Sequence, residues 1–127
     1  MEVLNDRYPH RVVEAREDNF GIVLLSNEPF VKSQALDLPG SEVPSIDVTL
    51  DVDGVQVPVL GTHPVPPATP AYAAERNRQL VSIATWAASH SGKAVVLGDL
   101  NTTPWSPYFD RLLSEGRLVR AHPRWGL

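Results

Sequence analysis

The feature that most constrains this chain is an apolar run that ends abruptly. Ala94, Val95, Val96 and Leu97 are followed at once by Gly98-Asp99-Leu100-Asn101, then by Thr102-Thr103-Pro104-Trp105-Ser106-Pro107. Lys93 to Gly98 is too short for a helix and rich in β-branched residues, so it reads as a strand. Its consecutive apolar side chains point to both faces, and both faces need cover. An acid and an amide at the carboxyl edge of such a strand stand where open α/β sheets place their ligands.

The rest of the chain is punctuated clearly. Arg11 to Arg16 reads as a strand, Asp18-Asn19 as a turn, and Phe20 to Ser26 as a second strand apolar on both faces. Val31 to Leu38 reads as a third, closed by Pro39-Gly40. Ser45 to Val52 alternates Ile46, Val48, Leu50 and Val52 with polar partners, the pattern of a half-buried strand. Asp53-Gly54 then predicts a two-residue hairpin, with the return strand over Val55 to Gly61. Pro58 has no N–H for a ladder, which puts it at an edge or a bulge. Thr69-Pro70 and Ser106-Pro107 each pair an N-cap with a first-turn proline. The first helix presents Leu80, Ile83, Ala84 and Ala87 and ends at Gly92; the second presents Phe109, Leu112 and Leu113 and is stopped by Gly116. Arg117 to Leu127 reads as loop or a short edge strand.

Composition excludes several functions. The 127 residues make one domain at most, with no repeat or low-complexity tract. Without cysteine there is neither a disulfide nor a thiolate metal site, and the compartment cannot be read. No apolar run is long enough to span a bilayer, and the first residues lack the pattern of a signal peptide. A net charge of −4 argues against tight binding to a nucleic-acid backbone.

Three ordered segments carry a resemblance. Gly98-Asp99-Leu100-Asn101 with the following Thr-Thr-Pro-Trp-Ser-Pro, Gly61-Thr62-His63-Pro64 at a strand end, and Asn19 to Ser26 upstream resemble the endonuclease/exonuclease/phosphatase superfamily, whose fold is that of deoxyribonuclease I. The spacing of Arg76 and Gln79 on the intervening helix also fits. The resemblance implies an α+β chain: half of a deoxyribonuclease-I-like sandwich, one mostly antiparallel sheet with two helices on one face. It implies a metal-dependent phosphoesterase using Mg²⁺ or Mn²⁺ on a phosphorylated substrate. Asp99 and Asn101 would be catalytic residues and metal ligands, and His63 a catalytic residue. It also implies segments that do not match here. The family's metal-binding Glu lies in another context than Glu2, and the Asp-His pair is missing before Trp125-Gly126-Leu127. On that resemblance, residues 1–127 are a single partial domain, the middle of a catalytic one.

The residue types suit the chemistry. Phosphate-ester hydrolysis needs an oriented water, neutralised phosphoryl oxygens and a proton for the leaving group. Asp99 offers a carboxyl group, and Asn101, two residues on in an extended segment, points to the same side. The amide of Asn101 can donate to a phosphoryl oxygen or offer its carbonyl to a hard cation. His63 ends a different strand and can donate to phosphate. Each also has a plain structural reading: Asp99 as a turn cap, Asn101 as the tenant of an awkward backbone angle, His63 as a loop histidine. Arg76 and Gln79 read equally as a solvated helix face. His10, His90 and His122 are expected at the surface, while Trp86 and Trp105 are expected to pack, Trp105 at a pocket rim.

Two helices cover only one face of the expected sheet. Leaving about eight Val, Leu and Ile side chains in water, at about 1.5–3 kcal/mol each, forgoes more than about 10 kcal/mol. A homodimer packed sheet on sheet would recover it. The competing function is therefore a catalytically inactive homodimeric fragment, a structural or binding protein.

Overall fold

The structure is a computed structural model, and it describes residues 2–121. The elements in chain order are α1 (Glu2–Arg7), β1 (His10–Glu14), β2 (Ile22–Ser26), β3 (Phe30–Leu36), β4 (Ser45–Val52), β5 (Val55–Gly61), α2 (Pro70–Ala88), β6 (Val95–Leu97) and α3 (Pro107–Gly116). Helix α1 has no counterpart in the sequence reading. The expected strands all form: β4 and β5 at the expected bounds, β1 and β3 starting one residue earlier and ending two earlier, β2 and β6 shortened. The part of the tail from residue 122 onward, including His122, lies outside the described residues.

A four-stranded sheet runs β3-β4-β5-β6, antiparallel except for the parallel pair β5 and β6. The turn between β4 and β5 has positive φ at both Asp53 and Gly54, the twist-matched form that such hairpins favour. Pro58 pairs with Thr49 on one side, whereas β6 begins pairing only at Val59. The half of β5 that carries the proline is thus an edge on its β6 flank, as its missing N–H requires. Helices α2 and α3 cover one face, burying Leu38, Leu60, Leu80, Ile83, Ala84 and Leu112 in one cluster.

The opposite face is not left bare. Strands β1 and β2 form their own two-stranded sheet. Its Leu24 meets Ile46, Val48 and Val59 in a second cluster, joined by Val12 and Ile22. The expectation of one sheet with a wholly open face is corrected: the hairpin starts a second layer. Gly61 makes room for it, since a Cβ there would lie 3.1 Å from the Leu24 side chain. Arg16 pins the layer from its far end, donating to Asp18 and to the Glu42 carbonyl. Cover is incomplete all the same. Val13 and Val23 are each 54% exposed, and Leu97 is 51% exposed.

Both helix caps form as the sequence predicts, with Thr69 accepting from the Tyr72 N–H and Ser106 from the Tyr108 N–H. The stops differ. Helix α2 ends at Ala88, before Gly92. Gly116 lies inside α3, and the left-handed residue that closes it is Arg117. The glycine serves packing instead: a Cβ would lie 3.3 Å from the Ala84 backbone, so a side chain there would push the two helices apart by a few tenths of an ångström.

Candidate active site

The site is built where β5 and β6 end side by side. Thr62 N–H donates to the Leu97 carbonyl at 3.0 Å, extending the parallel ladder by one bond. Gly98 follows with φ +134, a backbone angle that side chains rarely adopt. A Cβ there would fall 1.9 Å from the Thr62 carbonyl oxygen, so the crossing of the two strand ends admits glycine alone. Thr62 is itself held, its hydroxyl 2.8 Å from that of buried Ser45.

Beyond the glycine the chain turns tightly. Asp99 Oδ1 accepts the Asn101 N–H at 2.9 Å, and Asn101 sits at φ +50, where Asn is among the few residues tolerated. Asn101 Nδ2 donates to the Pro64 carbonyl at 2.7 Å. The backbone on either side of His63 is therefore tied down, at Thr62 to the end of β6 and at Pro64 to Asn101. Asp99 is exposed, Asn101 and His63 are half-buried. Asp99 and Asn101 line an open cleft of about 500 Å³ together with Pro67, Arg76, Thr102 and Ser106. His63 is not among its lining residues.

Two residues that the sequence leaves open as a solvated helix face prove to be the frame of the site. Arg76 is 9% exposed and Gln79 1%. Gln79 Oε1 accepts the Val65 N–H, and its Nε2 donates to Ser41, both at 2.9 Å. Arg76 donates through Nη1 to the Asn101 carbonyl and through Nε to Asn77 Oδ1, with its guanidinium 5.9 Å from the centre of the Tyr108 ring. Ion pairs among the described residues join Arg16 to Asp18 and Arg111 to Glu115, and none involves Arg76. A nearly buried cation thus borders the cleft with only neutral partners. The signal was in the spacing: Arg76, Gln79, Leu80, Ile83 and Ala87 follow one helical stripe.

Other expectations need correction. Trp105 does not pack; it is 86% exposed. Its loop is closed by Ser106 donating to the Thr103 carbonyl, which leaves the indole outside. His10 and His90 are half-buried, one edge-on to Phe30 and the other against Trp86 at 4.6 Å. Trp86 packs on the helix-side core as expected.

The donor set is hard oxygen, the kind that Mg²⁺ or Mn²⁺ takes. It does not fit such an ion unaided. Asp99 is the cleft's lone carboxylate, with one oxygen committed to the Asn101 N–H. No group of three or more His, Asp or Glu able to hold a metal occurs among the described residues.

A parallel strand pair presenting Gly-Asp-x-Asn at its carboxyl edge, on a sheet backed by helices, defines a chain of the deoxyribonuclease-I-like class. The Endonuclease/Exonuclease/phosphatase family matches residues 2–126, and the chain belongs to that family. Among solved structures it is similar to sphingomyelinase C from Streptomyces griseocarneus, at 24% identity and a TM-score of 0.74, over 94% of this chain and 52% of that one. It is similar to a β-hairpin deletion mutant of Staphylococcus aureus beta toxin, at 15% identity and 0.71, over 95% and 55%. Humanized D. rerio TDP2 follows at 17% and 0.61, over 94% and 49%. The chain spans about half the length of these structures, which share its fold. No curated protein sequence matches it significantly.

Proposed function

We propose that this chain carries one wall of a phosphoesterase site, hydrolysing a phosphodiester or phosphomonoester, with Asp99, Asn101 and His63 as its reacting side and Arg76 as its anion-binding side. The observation that carries this reading is the cation bordering the cleft: Arg76, without a carboxylate partner, beside exposed Asp99. Burying a guanidinium costs free energy unless something anionic repays it, and a phosphoryl group would do so. Asp99 Oδ2 lies outside the Asx turn and would take a proton from an attacking water. One Asn101 amide hydrogen is spent on Pro64, leaving the other for a phosphoryl oxygen. His63 would donate to the phosphate from the neighbouring strand end.

Mg²⁺ or Mn²⁺ remains the family's implication. Asp99 and Asn101 would supply two oxygen ligands at most, with the others coming from beyond the described residues. An incomplete set of proton-transfer partners costs about 10²–10⁴-fold, so the expected rate is low. Hydrolysis of bis-p-nitrophenyl phosphate with Mn²⁺, compared between the native chain and Asp99→Ala, tests the reading. Equal rates would discard it in favour of the second reading, a non-catalytic binding or structural chain. That alternative draws support from the loop-internal hydrogen bonds of Asp99 and Asn101.

We propose also that a second copy covers Val95 and Leu97, the part of the inner sheet face that the β1–β2 hairpin leaves open. Structures of this fold are about twice as long, which leaves room beside this chain for a body of its own size. Sedimentation velocity at micromolar concentration should give a dimer; a folded monomer would refute self-association.

A further inference from the structure

Downstream of Asn101 the chain carries hydrogen-bond donors with nothing to donate to. The N–H groups of Thr102, Thr103 and Trp105 bond to no described residue. Nor does the Thr102 hydroxyl, which is closed off from bulk water. Trp86 Nε1 is left in the same way, but it lies towards the far end of α2. Thr102 and Thr103 line the same cleft as Asp99, Asn101 and Arg76. Arg76 donates through Nε and Nη1, and its Nη2 bonds to no described residue.

Acceptors on this wall are largely spent. The Asn101 carbonyl takes Arg76, the Thr103 carbonyl takes the Ser106 N–H, and Ser106 Oγ takes the Tyr108 N–H. A surplus of donors beside a cation suits a ligand atom that only accepts, as a phosphoryl oxygen does. A hydroxyl buried without a partner costs free energy in the free chain, and an acceptor brought by a ligand would repay it. Among the described residues, the stretch from Thr102 to Trp105 makes one backbone bond, the one to Ser106, so little holds it back from turning onto a ligand.

We infer that Thr102 is a phosphoryl-binding residue: its hydroxyl and N–H, with the Thr103 N–H, complete the grip that Arg76 and Asn101 begin. The inference rests on the phosphoester reading of the cleft proposed above. It adds to that reading a residue outside Gly98-Asp99-Leu100-Asn101.

The test is titration with inorganic phosphate, read by calorimetry and by amide NMR signals, on the native chain, Thr102→Val and Thr102→Ser. The Thr102 and Thr103 amide signals of the native chain should move as phosphate is added. Thr102→Val keeps the volume and loses the hydroxyl, so its phosphate affinity should fall by about tenfold or more. Its urea midpoint without phosphate should stay at the native value or rise. Thr102→Ser should recover most of the affinity. A hydroxyl with a purely structural role would do the reverse, lowering the midpoint in Thr102→Val and leaving affinity native. Native affinity in Thr102→Val, stationary Thr102 and Thr103 amides, no recovery by Thr102→Ser, or a native chain that binds no phosphate would each overturn the inference. Hydrolysis of bis-p-nitrophenyl phosphate judges the catalytic reading separately. Phosphate held through Thr102 with equal hydrolysis by the native chain and Asp99→Ala would sink only that reading, whereas hydrolysis lost in Asp99→Ala with native affinity in Thr102→Val would sink only this inference.

Discussion

Gly98→Ala puts the geometry of the candidate site to a quantitative test. The added methyl would stand 1.9 Å from the Thr62 carbonyl oxygen, and ordinary contact begins at 3.4 Å, so the strand ends must part by about 1.5 Å. The obstacle is backbone, held by the 3.0 Å bond from Thr62 N–H to the Leu97 carbonyl and by the Ser45–Thr62 hydroxyl pair. Parting them breaks the ladder bond, worth about 0.5–1.5 kcal/mol. Overpacking adds about 1–3 kcal/mol, and holding alanine at φ +134 adds about 1–3 kcal/mol more. A loss of about 2.5–7.5 kcal/mol, about 5 kcal/mol at the middle of the range, is expected. Gly54→Ala supplies the control, because φ there is +84 and a Cβ would meet nothing within 4 Å. It should cost only the left-handed penalty, about 1–2 kcal/mol. Urea unfolding of both variants, with matched slopes, reads the difference. If Gly98→Ala falls within about 1 kcal/mol of Gly54→Ala, the close crossing of β5 and β6 is wrong, and the placement of Asp99 with it.

The helix that frames the site gives two further tests. Gln79→Leu strands the Val65 N–H and loses the bond to Ser41, and a cost of about 1–3 kcal/mol is expected in the unfolding midpoint. Arg76→Met keeps the stem and removes the charge-assisted bond to the Asn101 carbonyl, about 1.5–3 kcal/mol by the same assay; inorganic phosphate should stabilise the native chain and not this variant. At the far end, hydrogen bonds from Arg16, joined by the Phe20 N–H, hold the Asp18 carboxyl below its usual range. A carboxyl lowered by folding contributes stability above its unfolded value, and loses it as pH falls through the folded one. The native chain should therefore lose more stability between pH 7 and 3 than Asp18→Asn, by a small margin that high salt erases, since the pair is exposed. Ser106→Ala should cost about 1 kcal/mol by removing the α3 cap.

Local signals carried most of the fold. Asp53-Gly54, Thr69-Pro70 and Ser106-Pro107 each state their geometry within two residues, and the elements beside them begin where those pairs say. The layer formed by β1 and β2 is a different matter. Nothing inside a strand records whether it joins the main sheet or crosses over its face, so Leu24 against Val48 could not be read from either. The Asp99–Asn101 pair stood out through its resemblance to the family motif, and the structure also realises its plain readings, Asp99 capping a turn and Asn101 at a positive φ. Arg76 and Gln79 were obscured because polar side chains on an apolar stripe pass for surface until their partners are known. Those partners, the Asn101 carbonyl and the Val65 N–H, are backbone groups distant in sequence. Gly116 and Trp105 misled for a similar reason. A glycine near a helix end suggests a stop, and a tryptophan suggests a core, unless the neighbouring helix and the loop closure are in view.

The anchoring of the Val65 and Asn101 backbones by α2 bears on how the motif could be transplanted. Grafting Gly98 to Ser106 onto another scaffold would carry the acid and the amide but not the turn of helix that sets their pose. A transferable cassette would have to include Arg76 and Gln79 at their own pitch. Shorter pieces should look right in sequence and behave as ordinary loops.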